Sequence, residues 1–224
     1  MCRQYSFSCE MSEALSYFGI DEVAASYKPL FNIVPTKSVP VVRMEKGKRV
    51  LDSFRWGLMP FWVPDAINAD LEAMQGNEGY YKIVERQRCI IPCNGFYYWR
   101  IEEKRKYPIR VVMRTNGMFG IAGLYEVWEN AQKQRYHNCT MVMTRSNRLI
   151  AEFDPRMPAV LDADHLGEWL EPSLLEVTYL GRLLKPVEDA RMRLYPVSPI
   201  IQHEHVDDQT CIQEMDLKQA WVKA

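Results

Sequence analysis

The strongest structural signal in the sequence is Gly95-Phe-Tyr-Tyr-Trp-Arg-Ile-Glu-Glu-Lys-Arg-Lys-Tyr-Pro-Ile-Arg-Val-Val-Met113. Aromatic and β-branched residues lie on both sides of a charged centre, which is typical of two strands joined by a turn. The charged run at 102–106 predicts where the chain reverses. This segment therefore predicts a β-hairpin.

Similar patterns occur on both sides of this hairpin. Residues 38–55 alternate apolar and polar around Glu45-Lys-Gly-Lys48, which predicts a second hairpin. Thr115-Asn-Gly117 predicts a turn into another apolar strand, and 135–144 and 157–161 add two more. The predicted sheet is mostly antiparallel because short turns join successive strands.

Helices are predicted in four places and complete the fold class. They cover 10–18 (ended by Gly19), 69–86, 163–171 (capped by Asp162) and 173–184 (after Ser173). No repeat, low-complexity tract or linker divides the 224 residues. We therefore expect a single α+β domain over 1–224, with a curved, barrel-like sheet flanked by helices.

Composition excludes some functional classes. Hydrophobic residues make up 47% and charged residues 25% of the chain, as in an ordinary globular protein. No apolar run approaches the roughly 18 residues of a membrane span, and the N-terminus does not resemble a signal peptide. We expect a cytoplasmic protein. With a net charge of −1, any nucleic-acid binding must depend on a local basic patch.

The six cysteines show no disulfide framework, and we expect free thiols. Cys89 and Cys93 lack the second pair of ligands that a zinc site needs. His203 and His205 form an H-x-H pattern that is more typical of a solvated loop. We expect neither a metal nor a cofactor.

Segments along nearly the whole chain resemble the SRAP family (SOS response-associated peptidase, the abasic-site-processing proteins) in order and spacing. They are Met1-Cys2, Phe31–Thr36, Arg55–Trp62, Ile67–Ala69, Arg88–Trp99, Ala122–Trp128, Asn147–Pro158 and Tyr195–Ser198. The resemblance implies the SRAP fold and a role in the DNA damage (SOS) response. It also implies that Met1 is removed and that Cys2 becomes an N-terminal nucleophile. The α-amine and thiol of Cys2 then condense with the aldehyde of an abasic site in single-stranded DNA, giving a covalent thiazolidine crosslink.

The chemistry of Cys2 agrees with that implication. An α-amine titrates near pH 8 and a thiol near pH 8.5, so both are partly nucleophilic at neutral pH. Cysteine alone places an amine and a thiol on adjacent carbons at a chain start. Taken without the surrounding motifs, Cys2 would be interpreted as an incidental buried cysteine.

The resemblance also implies roles for other residues. Asn68 would hold the sugar, while Tyr98 and Asp154 stand where the family has its acid and base. The DNA-binding candidates are Arg3, Pro35, Arg55, Phe61, Trp62 and Arg156. Other interpretations stay open: Asn68 as a helix cap, Phe61 and Trp62 as core residues, and Arg156 as a salt-bridge partner.

Four departures from the family pattern affect these roles. Arg3 follows Cys2 directly, and Asp70 replaces an arginine in the Ile-Asn-Ala-Arg motif. Tyr98 replaces a glutamate and Asp154 replaces a histidine. Neither replacement matches the original pKa, so we expect condensation to be slower but not abolished.

Three functions follow as hypotheses. The first is a monomeric protein, associated with the nucleoid, that crosslinks abasic sites in single-stranded DNA. The second is a thiol-dependent peptidase that cleaves itself, or an enzyme with lyase-like chemistry. The third is a non-catalytic module that binds single strands or proteins. The second requires a base beside Cys2, and Asp154 is a poor substitute for histidine.

Overall fold

The computed structural model describes residues 2–57, 67–70, 72, 83–173 and 177–223, and within them β-structure dominates. The strands are β1 Tyr5–Phe7, β2 Glu22–Val23, β3 Leu30–Ile33, β4 Ser38–Glu45, β5 Lys48–Trp56, β6 Asn68–Asp70, β7 Arg88–Cys93, β8 Gly95–Glu102, β9 Arg105–Met113, β10 Phe119–Glu129, β11 Arg135–Arg145, β12 Arg156–Pro158, β13 Val160–Leu161, β14 Met192–Pro196 and β15 Val222–Lys223. The α-helices are α1 Met11–Phe18, α2 Arg148–Ala151, α3 Leu166–Leu170, α4 Val177–Leu183 and α5 Leu217–Ala220. Short 3₁₀ helices lie at Ala163–His165, Asp189–Arg191, Pro199–Gln202 and Gln209–Cys211.

Five strands close into a barrel. The neighbours run β7–β4–β5–β11–β10, and β10 pairs again with β7. Every pair in this ring is antiparallel except β5–β11. β12 and β6 add to β11, β13 adds to β10, and β2 adds to β5. The expected curved, mostly antiparallel core is confirmed.

A second sheet packs against the barrel and carries the N-terminal strand. Its order is β14–β9–β8–β1–β3, with β15 also on β9. Tyr5 of β1 pairs with Phe96 on one side and Ile33 on the other. Its buried ring packs edge-on against Trp56 of the barrel at 5.2 Å between centroids. The start of the chain is therefore held between the two sheets.

The predicted helix over 69–86 is wrong at its beginning. Asn68–Asp70 is strand β6, which runs parallel to β11 with Asn68 opposite Met141. Among the described residues of the predicted helix, 83–86 form a helical turn and Glu72 has helical backbone. The rest of the predicted helix lies outside the described residues. Asn68 is therefore not a helix cap, because its strand pairing with β11 overrides the local helical pattern.

The other local predictions fare better. Each predicted hairpin and turn is present, and α1 ends at Gly19, whose φ of 59° is left-handed. The helix predicted at 163–171 is a 3₁₀ turn followed by α3, and Asp162 precedes it without a side-chain capping bond. The helix predicted from 173 is observed as α4 at Val177–Leu183.

Helix α3 closes one side of the barrel. Trp169 is fully buried, and its Nε1 donates to the carbonyl of Cys89 on β7 at 2.8 Å. All six cysteines carry free thiols, as predicted. No helix among the described residues has the length and apolar character to cross a membrane.

Candidate active site

Cys2 lies just before β1 and is fully buried. Its Sγ donates to the carbonyl of Gln4 at 3.4 Å, and the same carbonyl accepts the backbone N–H of Tyr97 on β8. Burial raises the pKa of the Cys2 thiol to about 12. The thiol is therefore neutral at physiological pH.

Asn68 contacts Cys2 directly. Its Nδ2 donates to the Cys2 carbonyl at 2.8 Å, and the side chain is only 3% exposed. Its Oδ1 is buried and has no hydrogen-bond partner within the described ranges. An unsatisfied buried acceptor is costly. This one lies beside the backbone of Cys2, where a substrate hydroxyl or an amine can satisfy it.

Tyr98 and Asp154 are connected through the backbone of Arg156. The Tyr98 hydroxyl donates to the carbonyl of Arg156 at 2.8 Å, and the Arg156 N–H donates to Asp154 Oδ1 at 2.9 Å. Burial raises the pKa of Tyr98, and the negative charges of Cys2 and Asp154 raise it further. The charge of Asp154 also raises the pKa of Cys2. These mutual effects place the three side chains in one cluster.

Asp154 is positioned by the short helix before it. Asn147 caps α2, accepting the Ile150 N–H at 3.0 Å, and the Asp154 N–H closes the helix on the Ile150 carbonyl. Ser146 donates to the Asp154 carbonyl at 2.7 Å. Phe153 stacks on Tyr98, with centroids 6.0 Å apart. The cap and the stacked pair therefore fix the backbone on both sides of the carboxylate.

The backbone of Arg156 contacts Tyr98 and Asp154, and its side chain belongs to an ion network. Its Nε lies 2.7 Å from Asp70, and its Nη2 lies 2.7 Å from Glu72. Glu72 also pairs with Arg145 at 2.6 Å. Hydrogen bonds from the two arginines lower the pKa of Glu72 to about 2. Arg156 is thus a salt-bridge partner in this structure, while its contact with DNA stays a prediction.

Of the remaining DNA-binding candidates, the structure describes Arg3, Pro35 and Arg55. Arg3 is exposed beside Cys2, and Arg55 is exposed on β5. Pro35 is half-buried in the turn after β3, next to Thr36, whose φ of 75° is left-handed. Phe61 and Trp62 lie outside the described residues.

A part-buried hydrogen bond links Trp56, the residue after Arg55, to the segment that carries Asn68. Trp56 donates Nε1 to the carbonyl of Ile67 at 2.9 Å, and Ile67 precedes Asn68. Cys2, Asn68, Tyr98, Asp154 and Arg156 are brought together from four segments, since Asp154 and Arg156 are two residues apart. Arg3, Pro35 and Arg55 lie around this group without a direct bond to its side chains among the described residues.

Sequence reasoning missed two features of the site. Gln4 was not singled out, although its Nε2 donates to the Ile201 carbonyl and anchors the segment that carries Cys2. Glu72 was also missed, because it meets Arg156 from 84 positions away in the sequence. The sequence did contain one signal for this network. Asp70 is an acid where the family has an arginine, and a partly buried acid is expected to pair with a cation, which here is Arg156.

The candidate metal ligands do not converge. Cys89 and Cys93 are buried in β7, whereas His203 and His205 form an exposed pair with rings 5.7 Å apart. In the part of the chain that the structure describes, no group of three His, Cys, Asp or Glu side chains is placed to hold a metal ion.

Comparison with known proteins decides the family. The family model described as SOS response associated peptidase (SRAP) matches residues 1–204. The chain belongs to the SRAP family. The abasic site processing protein YoqW of Bacillus subtilis is 31% identical over 210 residues, covering 90% of this chain and 94% of the relative. The abasic site processing protein HMCES of Rattus norvegicus is 23% identical over 236 residues, covering 85% of this chain and 66% of the relative.

A solved structure supports the SRAP fold independently. A protein from Bacteroides thetaiotaomicron superposes with a TM-score of 0.83 at 23% identity, covering 96% of this chain and 100% of that one. The SRAP barrel and its second sheet are therefore shared at low sequence identity.

Proposed function

We propose that this protein processes abasic sites in single-stranded DNA by forming a covalent thiazolidine link through Cys2 after removal of Met1. One observation carries the proposal: Asn68 donates its Nδ2 to the Cys2 carbonyl at 2.8 Å, which ties the Ile-Asn-Ala motif to the proposed nucleophile. The relatives named as abasic site processing proteins give the substrate class.

The proposed reaction begins at the α-amine of Cys2. The amine attacks the aldehyde carbon of the ring-opened sugar, and loss of one water gives an imine. The Cys2 thiol then adds across the C=N bond, with sulfur going to carbon and the thiol proton to nitrogen. One water is released in total, and no oxidant or cofactor takes part.

Each neighbouring side chain has a role in these steps. Asp154 takes a proton from the attacking amine and returns it to the departing hydroxyl. Asn68 Oδ1 accepts a hydrogen bond from the amine or from a sugar hydroxyl, which satisfies its buried lone pairs. Tyr98 holds the Arg156 carbonyl, and so keeps the strand that follows Asp154 in place.

The state of the Cys2 thiol favours this chemistry over a thiol peptidase. A peptidase nucleophile needs a thiolate, usually produced by a lowered pKa. Here burial raises the pKa of Cys2 to about 12, so the thiol keeps its proton. Thiazolidine formation needs no thiolate held in advance, because the imine nitrogen takes up the thiol proton as sulfur adds to carbon.

We place this activity in one domain spanning 1–224, acting as a monomer on DNA in the cytoplasm. Arg3, Pro35, Arg55, Phe61, Trp62 and Arg156 are proposed to contact the strand. Aromatic stacking on a base contributes about 1–3 kcal/mol and tolerates any sequence. The exposed side chains of Arg3 and Arg55 supply the phosphate contacts that a net charge of −1 does not supply overall, whereas the guanidinium of Arg156 contacts a phosphate only when its carboxylate partners release it.

Intact-mass measurement tests the proposal. Purified protein is incubated with a single-stranded oligonucleotide carrying one abasic site, and the expected product is protein plus oligonucleotide minus one water. Cys2→Ala should form no thiazolidine, whereas Cys9→Ala, which removes a half-buried thiol elsewhere, should behave as wild type. Retention of Met1 in most molecules, or equal adduct from Cys2→Ala, would reject the mechanism.

A further inference from the structure

Four charged side chains form a continuous ion network beside the Cys2 cluster. Asp70 ends β6, Glu72 lies two residues later, Arg156 begins β12 and Arg145 ends β11. Asp70 Oδ1 also accepts the backbone N–H of Glu72 at 2.8 Å. Asp70 and Arg156 are only 25% and 19% exposed, so their pair is better shielded from solvent than an ordinary surface salt bridge.

The network occupies one particular edge of Arg156. The guanidinium uses Nε for Asp70 and Nη2 for Glu72, both at 2.7 Å. This is one of the edges with two parallel N–H groups that arginine uses to bind carboxylate or phosphate in a fork. Because two carboxylates already hold that edge, a phosphate must displace them to bind it.

Arg156 is also close to the reacting centre. Its N–H donates to Asp154 and its carbonyl accepts from Tyr98, so its backbone is part of the Cys2 cluster. An abasic sugar inside a strand carries a phosphate on each side. A sugar whose aldehyde reaches Cys2 therefore brings phosphate into the neighbourhood of this guanidinium.

We propose that Asp70 and Glu72 are specificity-determining residues that latch Arg156 and keep it from binding the phosphates of intact single-stranded DNA. The network contains two acids and two arginines, so it offers a phosphate no net attraction. Intact DNA then dissociates readily, while a strand with an abasic site is retained by its covalent bond to Cys2. This inference rests on the proposed function for the identity of the ligand.

Binding to an intact oligonucleotide tests the latch without any covalent step. The variants are Asp70→Asn and Glu72→Gln, which remove one charge and keep the shape of the side chain. Fluorescence anisotropy at low salt should show about fivefold tighter binding for each, which corresponds to about 1 kcal/mol. The slope of log affinity against log salt should steepen by about 0.7, because one more phosphate is neutralised.

Glu214→Gln is the matched control. Glu214 pairs with Arg193 at 2.6 Å on β14 of the second sheet, so this variant changes the net charge by the same amount at a different place. Its affinity should stay within about twofold of wild type. Equal gains in Asp70→Asn and Glu214→Gln would attribute the effect to overall charge and overturn the latch.

The double variant Asp70→Asn/Arg156→Gln tests the route through Arg156. The gain of Asp70→Asn should disappear in the double variant, and a gain that persists would overturn the latch. Adduct formation with an abasic oligonucleotide is scored separately by intact mass. If the wild-type protein forms the adduct but Asp70→Asn does not bind intact DNA more tightly, only the latch is overturned. If Asp70→Asn binds intact DNA more tightly but no adduct forms, only the proposed chemistry is overturned.

Discussion

At the scale of single residues, the protonation state of Cys2 follows from its surroundings. Burial raises its pKa to about 12, and the nearby charge of Asp154 acts in the same direction. Asp154 therefore does not activate the thiol, because a carboxylate beside a thiolate disfavours ionisation. In the proposed reaction, Asp154 therefore serves the amine of Cys2 and not its thiol.

The raised pKa predicts slow alkylation of Cys2. At pH 8 a thiol with a pKa of about 12 has a thiolate fraction smaller than an ordinary cysteine by on the order of a thousandfold. Cys9, which is half-buried and whose pKa is raised less, serves as an internal control and should react faster than Cys2. Iodoacetamide labelling followed by peptide mass spectrometry measures both rates. Labelling of Cys2 as fast as in urea-unfolded protein would contradict its burial.

Asn68 offers a second residue-scale prediction. Asn68→Ala removes the bond to the Cys2 carbonyl together with the unsatisfied Oδ1, so the two losses partly offset each other. We expect the free energy of unfolding to fall by less than about 1.5 kcal/mol and adduct formation to slow at least about tenfold. Asn68→Asp should lower stability more, by about 2–4 kcal/mol. It buries a carboxylate at a position that is only 3% exposed, and it removes the Nδ2 group that donates to the Cys2 carbonyl. Urea unfolding and intact-mass kinetics separate the two effects, and unchanged kinetics in Asn68→Ala would remove Asn68 from the site.

Sequence alone reaches only part of this residue-scale account. Cys2, Asn68 and Asp154 are recognisable because they stand in motifs that resemble a family. The pairing of Arg156 with Glu72 has no local signal, since 84 residues separate them and the contact requires the folded sheet. The effect of burial on Cys2 is equally non-local, because the residues that exclude water come from both sheets.

At the scale of elements, hairpins are predictable and isolated strands are not. The β4–β5 and β8–β9 pairs are found from local alternation and turn residues, which fix both strands within one short segment. β6 has three residues and, among the described strands, pairs with β11 alone, so nothing in its own sequence distinguishes it from the start of a helix. That misassignment matters because β6 carries both Asn68 and Asp70.

The start of β8 depends on a glycine for close packing. A Cβ at Gly95 would lie 2.6 Å from Arg110 Nε, and Arg110 is buried against Ser6, Asn94 and Tyr195. Gly95→Ala should therefore lower the free energy of unfolding by about 1–3 kcal/mol. Gly181→Ala in α4, where nothing lies within 4 Å, should be neutral or gain up to about 1 kcal/mol. Equal urea midpoints for the two variants would show that Arg110 can move aside without cost.

At the scale of the whole molecule, charge is balanced overall and arranged locally. The net charge is −1, and Arg156 and Arg145 are engaged by acids. Arg3 and Arg55 are exposed and form no ion pair with another described residue. Within the described part of the chain, a phosphate can therefore reach these two arginines without breaking an ion pair, and they set the expected electrostatics of binding.

Salt dependence tests this whole-molecule balance. With about two phosphates neutralised, log affinity for an intact single strand should fall with log salt at a slope of about −1.4. Arg3→Gln and Arg55→Gln should each weaken binding and make the slope shallower by about 0.7, because each removes one phosphate contact. Arg193→Gln, which removes an arginine paired with Glu214 on the other sheet, changes the net charge equally and should leave the slope unchanged. If the slope stays near −1.4 in Arg3→Gln and Arg55→Gln but becomes shallower in Arg193→Gln, the DNA binds the second sheet, away from Cys2.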